Sequence, residues 1–151
     1  MRGEAMCREV EFDELGDGSA RTGGPLVVHV LSDALGETGL ALVRAAAIQF
    51  RRESVVVSRL THVEGMEEVR RYLDRYVPDG SATVLCHTIL DEGLREELRQ
   101  EAEERGMATV DLLGPSLSML ERLLGEAPMD VPGLVVERES RLVRSIDARR
   151  L

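Results

Sequence analysis

The segment Ser32-Asp33-Ala34-Leu35-Gly36-Glu37-Thr38 joins a continuous apolar run to an amphipathic stretch, and its side chains can do chemistry there. At the start of a helix, backbone N–H groups lack intrahelical acceptors and the helix dipole adds positive potential, so an anion can be received. Gly36 lets a ligand approach the backbone, and Ser32 and Thr38 supply hydroxyls. Asp33 and Glu37 oppose a bare phosphate unless a cation or an arginine intervenes. The same residues also read as simple caps of a turn.

A second set of polar residues recurs wherever an apolar run ends: Thr61 with His62, His87 with Thr88, and Asp111 with Gly114 and Pro115. His29 lies inside an apolar run and reads as a hydrogen-bonded core residue, whereas His62 and His87 could approach one another at a common edge. Neither of those two has a carboxylate close by in sequence to orient it. The histidines and the two cysteines, Cys7 and Cys86, have no metal-ligand spacing, and two cysteines are too few for a disulfide framework. The Gly-x-Ser-x-Gly elbow of a serine hydrolase is absent, as is the Gly-x-Gly-x-x-Gly dinucleotide fingerprint.

Composition removes further classes. All 19 basic residues are arginines, so the chain cannot form a Schiff base or supply the lysine of a phosphate-binding P-loop. A phospho-receiver domain, which needs a lysine, is equally remote. With 28 acidic residues and a net charge of −9, general binding to nucleic acid or anionic lipid is disfavoured. Two Tyr, two Phe and no Trp supply little surface for stacking a flavin or a base. No apolar run reaches the length needed to cross a bilayer, and Met1–Ala5 resembles neither a secretory nor a transit segment, which makes the cytoplasm the expected location.

These polar residues must be positioned by the elements between them. Residues 1–24 read as a mobile acidic leader, with Cys7 as an exposed thiol of no assigned role. From Pro25 the texture changes: Leu26–Leu31, Val55–Val57, Ala82–Cys86 and Ala108–Leu112 are short apolar runs of the kind buried on both faces. Between them, apolar residues recur in steps of three and four. The sets are Leu40, Val43, Ala47 and Phe50; Met66, Val69, Leu73 and Tyr76; Leu94, Leu98 and Ala102; and Leu117, Leu120 and Leu124.

Punctuation supports the same parsing. Arg51 and Arg52 close the first helix, and Thr61 with Glu64 forms a capping box unless the cap lies one turn away. Pro78-Asp79-Gly80 stops the second helix. Asp91 caps the third, Gly106 ends it, and its Glu/Arg-rich surface from Arg95 to Arg105 reads as a solvated face with a Glu101–Arg105 pair. Gly114-Pro115 opens the fourth, and Gly125 ends it. Strands linked through such helices must run parallel with right-handed crossovers.

The predicted fold is therefore α/β: an open parallel sheet of about four strands with helices on both faces, Rossmann/flavodoxin-like, spanning residues 25–126. Residues 127–151 follow as a loop and a C-terminal Arg-rich helix through Leu142, Val143 and Ile146. In such a sheet ligands collect at the carboxyl ends of the strands, where the polar residues above all fall.

Several segments, in order and at matching spacing, resemble the pyruvate, phosphate dikinase and phosphoenolpyruvate synthase regulatory proteins. They are Leu31-Ser32-Asp33-Ala34-Leu35-Gly36-Glu37-Thr38, an Ala-rich helix ending Gln49-Phe50, Cys86-His87-Thr88-Ile89, Leu94-Arg95, Val110-Asp111-Leu112-Leu113-Gly114-Pro115, Leu120-Glu121, Gly125 and Pro132-Gly133. The likeness covers about Leu26 to Leu134. Gly39-Leu40 stands where the family usually has Ala-Glu, and this departure softens the first helical turn. Glu92-Gly93 replaces a Pro-Glu, and Leu142-Val143 an aromatic pair.

The resemblance implies a bifunctional Ser/Thr kinase and phosphorylase. Such a protein uses ADP to phosphorylate a threonine of the dikinase or synthase, and inorganic phosphate to remove that group as pyrophosphate. It also implies that the nucleotide-binding P-loop lies in a C-terminal half outside this chain, so ADP and phosphate are expected to bind elsewhere and this chain alone to be inactive. Ser32, Asp33, Gly36, Glu37, Thr38, Asp111, Gly114 and Pro115 carry over without assigned catalytic roles. The partner expected is the dikinase or the synthase, and self-association into a homodimer is left open. The alternative is a non-enzymatic binding module that kept the sheet and lost the chemistry.

Overall fold

The computed structural model describes residues 25–50, 55–77 and 83–134. Four strands alternate with four helices: β1 (Leu26–Leu31), α1 (Glu37–Ala47), β2 (Val55–Leu60), α2 (Met66–Tyr76), β3 (Thr83–His87), α3 (Glu92–Glu104), β4 (Ala108–Asp111) and α4 (Gly114–Leu124). All strand pairs are parallel and their order is β2-β1-β3-β4. The predicted open α/β sheet is therefore present. The expected leader over 1–24, Cys7, the closing pair Arg51–Arg52, the Pro78–Gly80 stop and the Arg-rich helix lie outside the described residues.

Because β1 and β3 are adjacent while β2 lies on the far side of β1, the chain reverses its direction across the sheet between α1 and α2. The helices are thereby distributed to both faces, as two separate cores show. On one face Leu31, Leu85 and Ile89 pack with Val69 and Leu73 of α2 and Leu98 and Ala102 of α3. On the other, Val28, Val30, Val57 and Cys86 pack with Leu40 and Val43 of α1. Side chains alternate along each strand, so neighbours such as Val30 and Leu31 serve opposite cores.

A polar network joins β1, β2 and α2 on one face of the sheet. His29, fully buried, places Nδ1 2.6 Å from the Tyr72 hydroxyl, which also lies 2.9 Å from Ser58 Oγ on β2. The core role expected of His29 is observed. Burial pulls its pKa down to about 4 and pushes that of Tyr72 well up, so both groups are neutral at physiological pH.

Several local expectations are corrected. β2 extends to Leu60, three residues beyond the β-branched run, because Ser58, Arg59 and Leu60 keep their register with β1. The third strand ends at His87, not Cys86, so His87 belongs to the sheet. The start of α2 is one turn later than Thr61: Glu68 Oε2 accepts from the backbone N–H of Gly65 at 3.0 Å and of Glu64 at 3.1 Å. Phe50 lies past the end of α1 and is 68% exposed rather than inward.

Gly39 does not merely soften α1. It is buried, and a Cβ there would stand 2.8 Å from Val30 Cγ1 and 3.3 Å from Thr88 Cγ2, so its lack of a side chain lets the helix lie directly on the sheet. The caps of α3 are as expected, with Asp91 Oδ1 accepting from Leu94 N at 2.7 Å and Gly106 at φ +68°. The inward reading of α4 fails for Leu120 and Leu124, whereas Leu117 is half-buried. Only Gly114 is buried in that helix, while Leu120 and Leu124 are exposed.

Candidate functional site

The topological reversal opens a crevice at the carboxyl ends of β1 and β3, where such sheets hold ligands. Two backbone bonds to the end of β1 and the residue after it align its walls: Thr88 N–H donates to Leu31 O at 3.1 Å, and Val63 N–H to Ser32 O at 2.9 Å. A side-chain bond ties the two loops together. Asp33 Oδ2 accepts from Leu90 N–H at 2.8 Å, bridging the segment after β1 to the segment after β3. Asp33 is thus held by a partner 57 positions away, beyond the reach of the local capping read from sequence.

The β1–α1 loop is ordered from within. Ser32 Oγ accepts from Ala34 N–H at 3.0 Å, and Ala34 O accepts from His62 N–H at 3.0 Å. Gly36 is the N-cap of α1 with φ 75°, a left-handed conformation that favours glycine, and it supplies no side-chain cap. Glu37 and Thr38 are exposed at the helix start. Arg59 was missed by the sequence reading. It reaches from β2 over this loop, its Nη1 donating to Leu35 O at 3.3 Å while its stem passes the space a Cβ on Gly36 would take. Extending β2 to its true end in register with β1 would have found it, since Arg59 pairs with Val30 and Leu60 with Leu31. An arginine thus lies over the loop that carries Asp33 and Glu37.

On the far side of the crevice, His87 and Asp111 are register partners at the ends of β3 and β4. The carboxylate that sequence proximity did not offer to His87 arrives through strand pairing. His87 is 3% exposed, and burial depresses its pKa first, with Arg95 adding to this and Asp111 and Asp33 opposing. Its Nδ1 finds no hydrogen-bond partner among the described residues.

Asp111 is the hub of this corner. Its Oδ1 accepts from Gly114 N–H at 2.7 Å and Leu113 N–H at 3.0 Å, capping α4, and its Oδ2 meets Arg95 Nη1 at 3.3 Å. Burial alone would raise the Asp111 carboxyl, yet these N–H donors, with His87 and Arg95, hold it below the usual range. A Cβ on Gly114 would collide with both Arg95 Nη1 and Asp111 Oδ2, so any other residue must displace that pair. Pro115 follows in the first turn of α4 and is exposed.

Arg95 was assigned to a solvated helix face. It instead sits in the first turn of α3, with its side chain 18% exposed, and turns to Asp111. The rest of that face is also only partly solvated: Glu101 joins Arg70 of α2 at 2.7 Å and Arg105 at 2.8 Å. His62 is exposed with φ 54°, while His87 is buried. Their environments differ too much for a shared pair. Below the crevice, between the starts of α2 and α3, lies a groove of about 550 Å³ with Val63, Met66 and Ile89 among its lining, together with Asp33, Asp91 and Asp130. Its carboxylates disfavour a bare anion there. Among the described residues, no group of three or more His, Cys, Asp or Glu side chains could hold a metal ion, and no helix is long and apolar enough to cross a membrane.

A model of the kinase/pyrophosphorylase family matches residues 28–149. The chain belongs to that family. It is 36% identical over 121 residues to a Geobacter sulfurreducens protein assigned as a pyruvate, phosphate dikinase regulatory protein, with 80% of this chain and 44% of the relative covered. A Halalkalibacterium halodurans protein of the same assignment is 33% identical over 122 residues, covering 81% of this chain and 44% of that protein. A third, from Listeria monocytogenes, is 34% identical over 108 residues, covering 72% and 39%. The chain thus spans less than half the length of these family members. The crevice residues all lie within the matched range.

Proposed function

We propose that this chain takes part in regulating pyruvate, phosphate dikinase, or the related phosphoenolpyruvate synthase, as the amino-terminal portion of a reversible threonine kinase and phosphorylase. The observation that carries the reading is the family match over 28–149 together with relatives assigned as dikinase regulatory proteins. In the forward direction, ADP would donate a phosphoryl group to a threonine of the target. In the reverse, inorganic phosphate would take it off as pyrophosphate.

Phosphoryl transfer relies on held phosphates and on cations placed about the moving group. The cations at this crevice are Arg59 and Arg95. Arg95 is engaged with Asp111, and Arg59 lies over the β1–α1 loop, donating to Leu35 O. This supports a role in target recognition and in shaping the cleft, with transfer assigned to the portion of the family fold beyond the match. ADP and phosphate would bind there.

The test uses the purified chain with dikinase and ADP. No phosphothreonine is expected by mass spectrometry, while titration calorimetry is expected to show the chain binding the dikinase. Robust threonine phosphorylation by the 151-residue chain alone, or no binding, overturns the reading.

A further inference from the structure

Helix α4 displays Leu117, Leu120 and Leu124 at steps of three and four, flanked by Met119 and Leu123, and only Glu121 and Arg122 are charged within it. Yet it buries nothing larger than Gly114: Leu120 is 47% exposed, Leu124 68% and Leu123 71%. The strand leading into it, β4, pairs only with β3 among the described residues, and its Val110 is 45% exposed. An apolar helix face beside an open sheet edge is surface that folded proteins ordinarily cover. Helix α1 also exposes Leu42, and its C-cap Ile48 is exposed, but its opposite face is already seated through Leu40 and Val43. In α4 only Gly114 is buried, and of its leucines Leu117 alone is half-buried.

We infer that the α4 face and the free edge of β4 form the seat of the part of the family fold that relatives carry beyond the match, whether it comes from the same polypeptide or a second one. This rests on the reading that the matched portion is the amino-terminal part of the regulator. The occupant follows from length and place. More than half of each relative lies outside the match, and α4 is the last helix before the described chain leaves at Leu134. A second copy of this chain is the weaker occupant, because each copy brings a net charge of −9.

Two measurements test the seat, and neither reads catalysis, so a failed kinase or dikinase-binding assay leaves them intact. The first is hydrogen exchange on this chain and on the intact Geobacter sulfurreducens relative. Amides of 114–124 are expected to exchange at least about tenfold faster than the aligned helix of the relative, with β1 and β3 slow in both. Equal protection overturns the inference. The second places residues 25–134 into the relative in place of the aligned segment. Leu120→Asp with Leu123→Asp is expected to lower the Tm of that full-length chimera by several degrees while leaving the Tm of the 151-residue chain unchanged. Neutrality in both proteins overturns the seat, as does a dimer of the present chain, seen by light scattering, that the two substitutions abolish. Should the chimera not fold, the exchange measurement decides alone.

Discussion

Helices α3 and α4 look alike in sequence and fare differently in the fold. Each opens beside a capping aspartate, ends at a glycine with φ +68°, and carries apolar residues at steps of three and four. α3 lodges Leu98 and Ala102 in the core, at 0% and 1% exposure, and is fastened to α2 through Glu101 and Arg70. α4 leaves Leu120, Leu123 and Leu124 in solvent, with Leu117 half-buried. Periodicity therefore states which side of a helix wants burial, and the sheet decides whether there is anything to bury it against. α3 lies over β3 and β4, whereas α4 leaves the sheet at its open edge.

Substitutions sharpen this contrast. Leu98→Ala is expected to cost about 2–5 kcal/mol through lost contacts and a residual cavity, measured by urea unfolding. Leu123→Ala on the exposed surface of α4 is expected to stay within about 0.5 kcal/mol in the same assay. Equal costs would mean that the two helices are equally seated.

The second test separates the buried side of the sheet from its rim. His29 is neutral when folded, with its pKa depressed to about 4 by burial, whereas the unfolded chain protonates it near the ordinary value of 6.5. Between those values the unfolded state binds one more proton, so stability is full above about pH 6.5 and falls as pH drops toward 4, by about 3 kcal/mol in all. His29→Leu is expected to flatten that part of the profile, while Tyr72 keeps Ser58 as a partner. A pH dependence unchanged by the substitution would assign the loss to other groups.

The smallest of the three effects is expected at the junction between the helices. Gly114→Ala forces Arg95 and Asp111 apart, at a cost of about 1–3 kcal/mol. Loss of Arg95 and Asp111 from their places also changes the field at His87, which an NMR titration of its ring would report as a moved midpoint. An unmoved midpoint would show that His87 does not sense this corner.

Much of this was legible in the residues themselves. β-branched runs marked the strands because a strand covered on both faces must be apolar throughout, and the caps Asp91, Gly106 and Gly125 act within a few positions of themselves. The positions of Ser32, Asp33, His87 and Asp111 at one edge followed from the parallel order alone. What sequence concealed was tertiary. Asp33 bonds a backbone N–H in another loop, His87 gains its carboxylate by strand register, and Arg95 turns out of a charged helix face. None of these pairings leaves a local periodic trace. α4 failed for a related reason, since a pattern cannot report whether its intended neighbour is present.

Gly39 carries a lesson for mutational surveys. Any larger residue there would lift α1 off the sheet through Val30, so a saturation library would show that column depleted, much as it would a residue touching substrate. The exposed Leu123, by contrast, would tolerate most exchanges in this polypeptide. Intolerance at the first position would report a shortage of room, and permissiveness at the second would say nothing of what that surface does in a larger assembly.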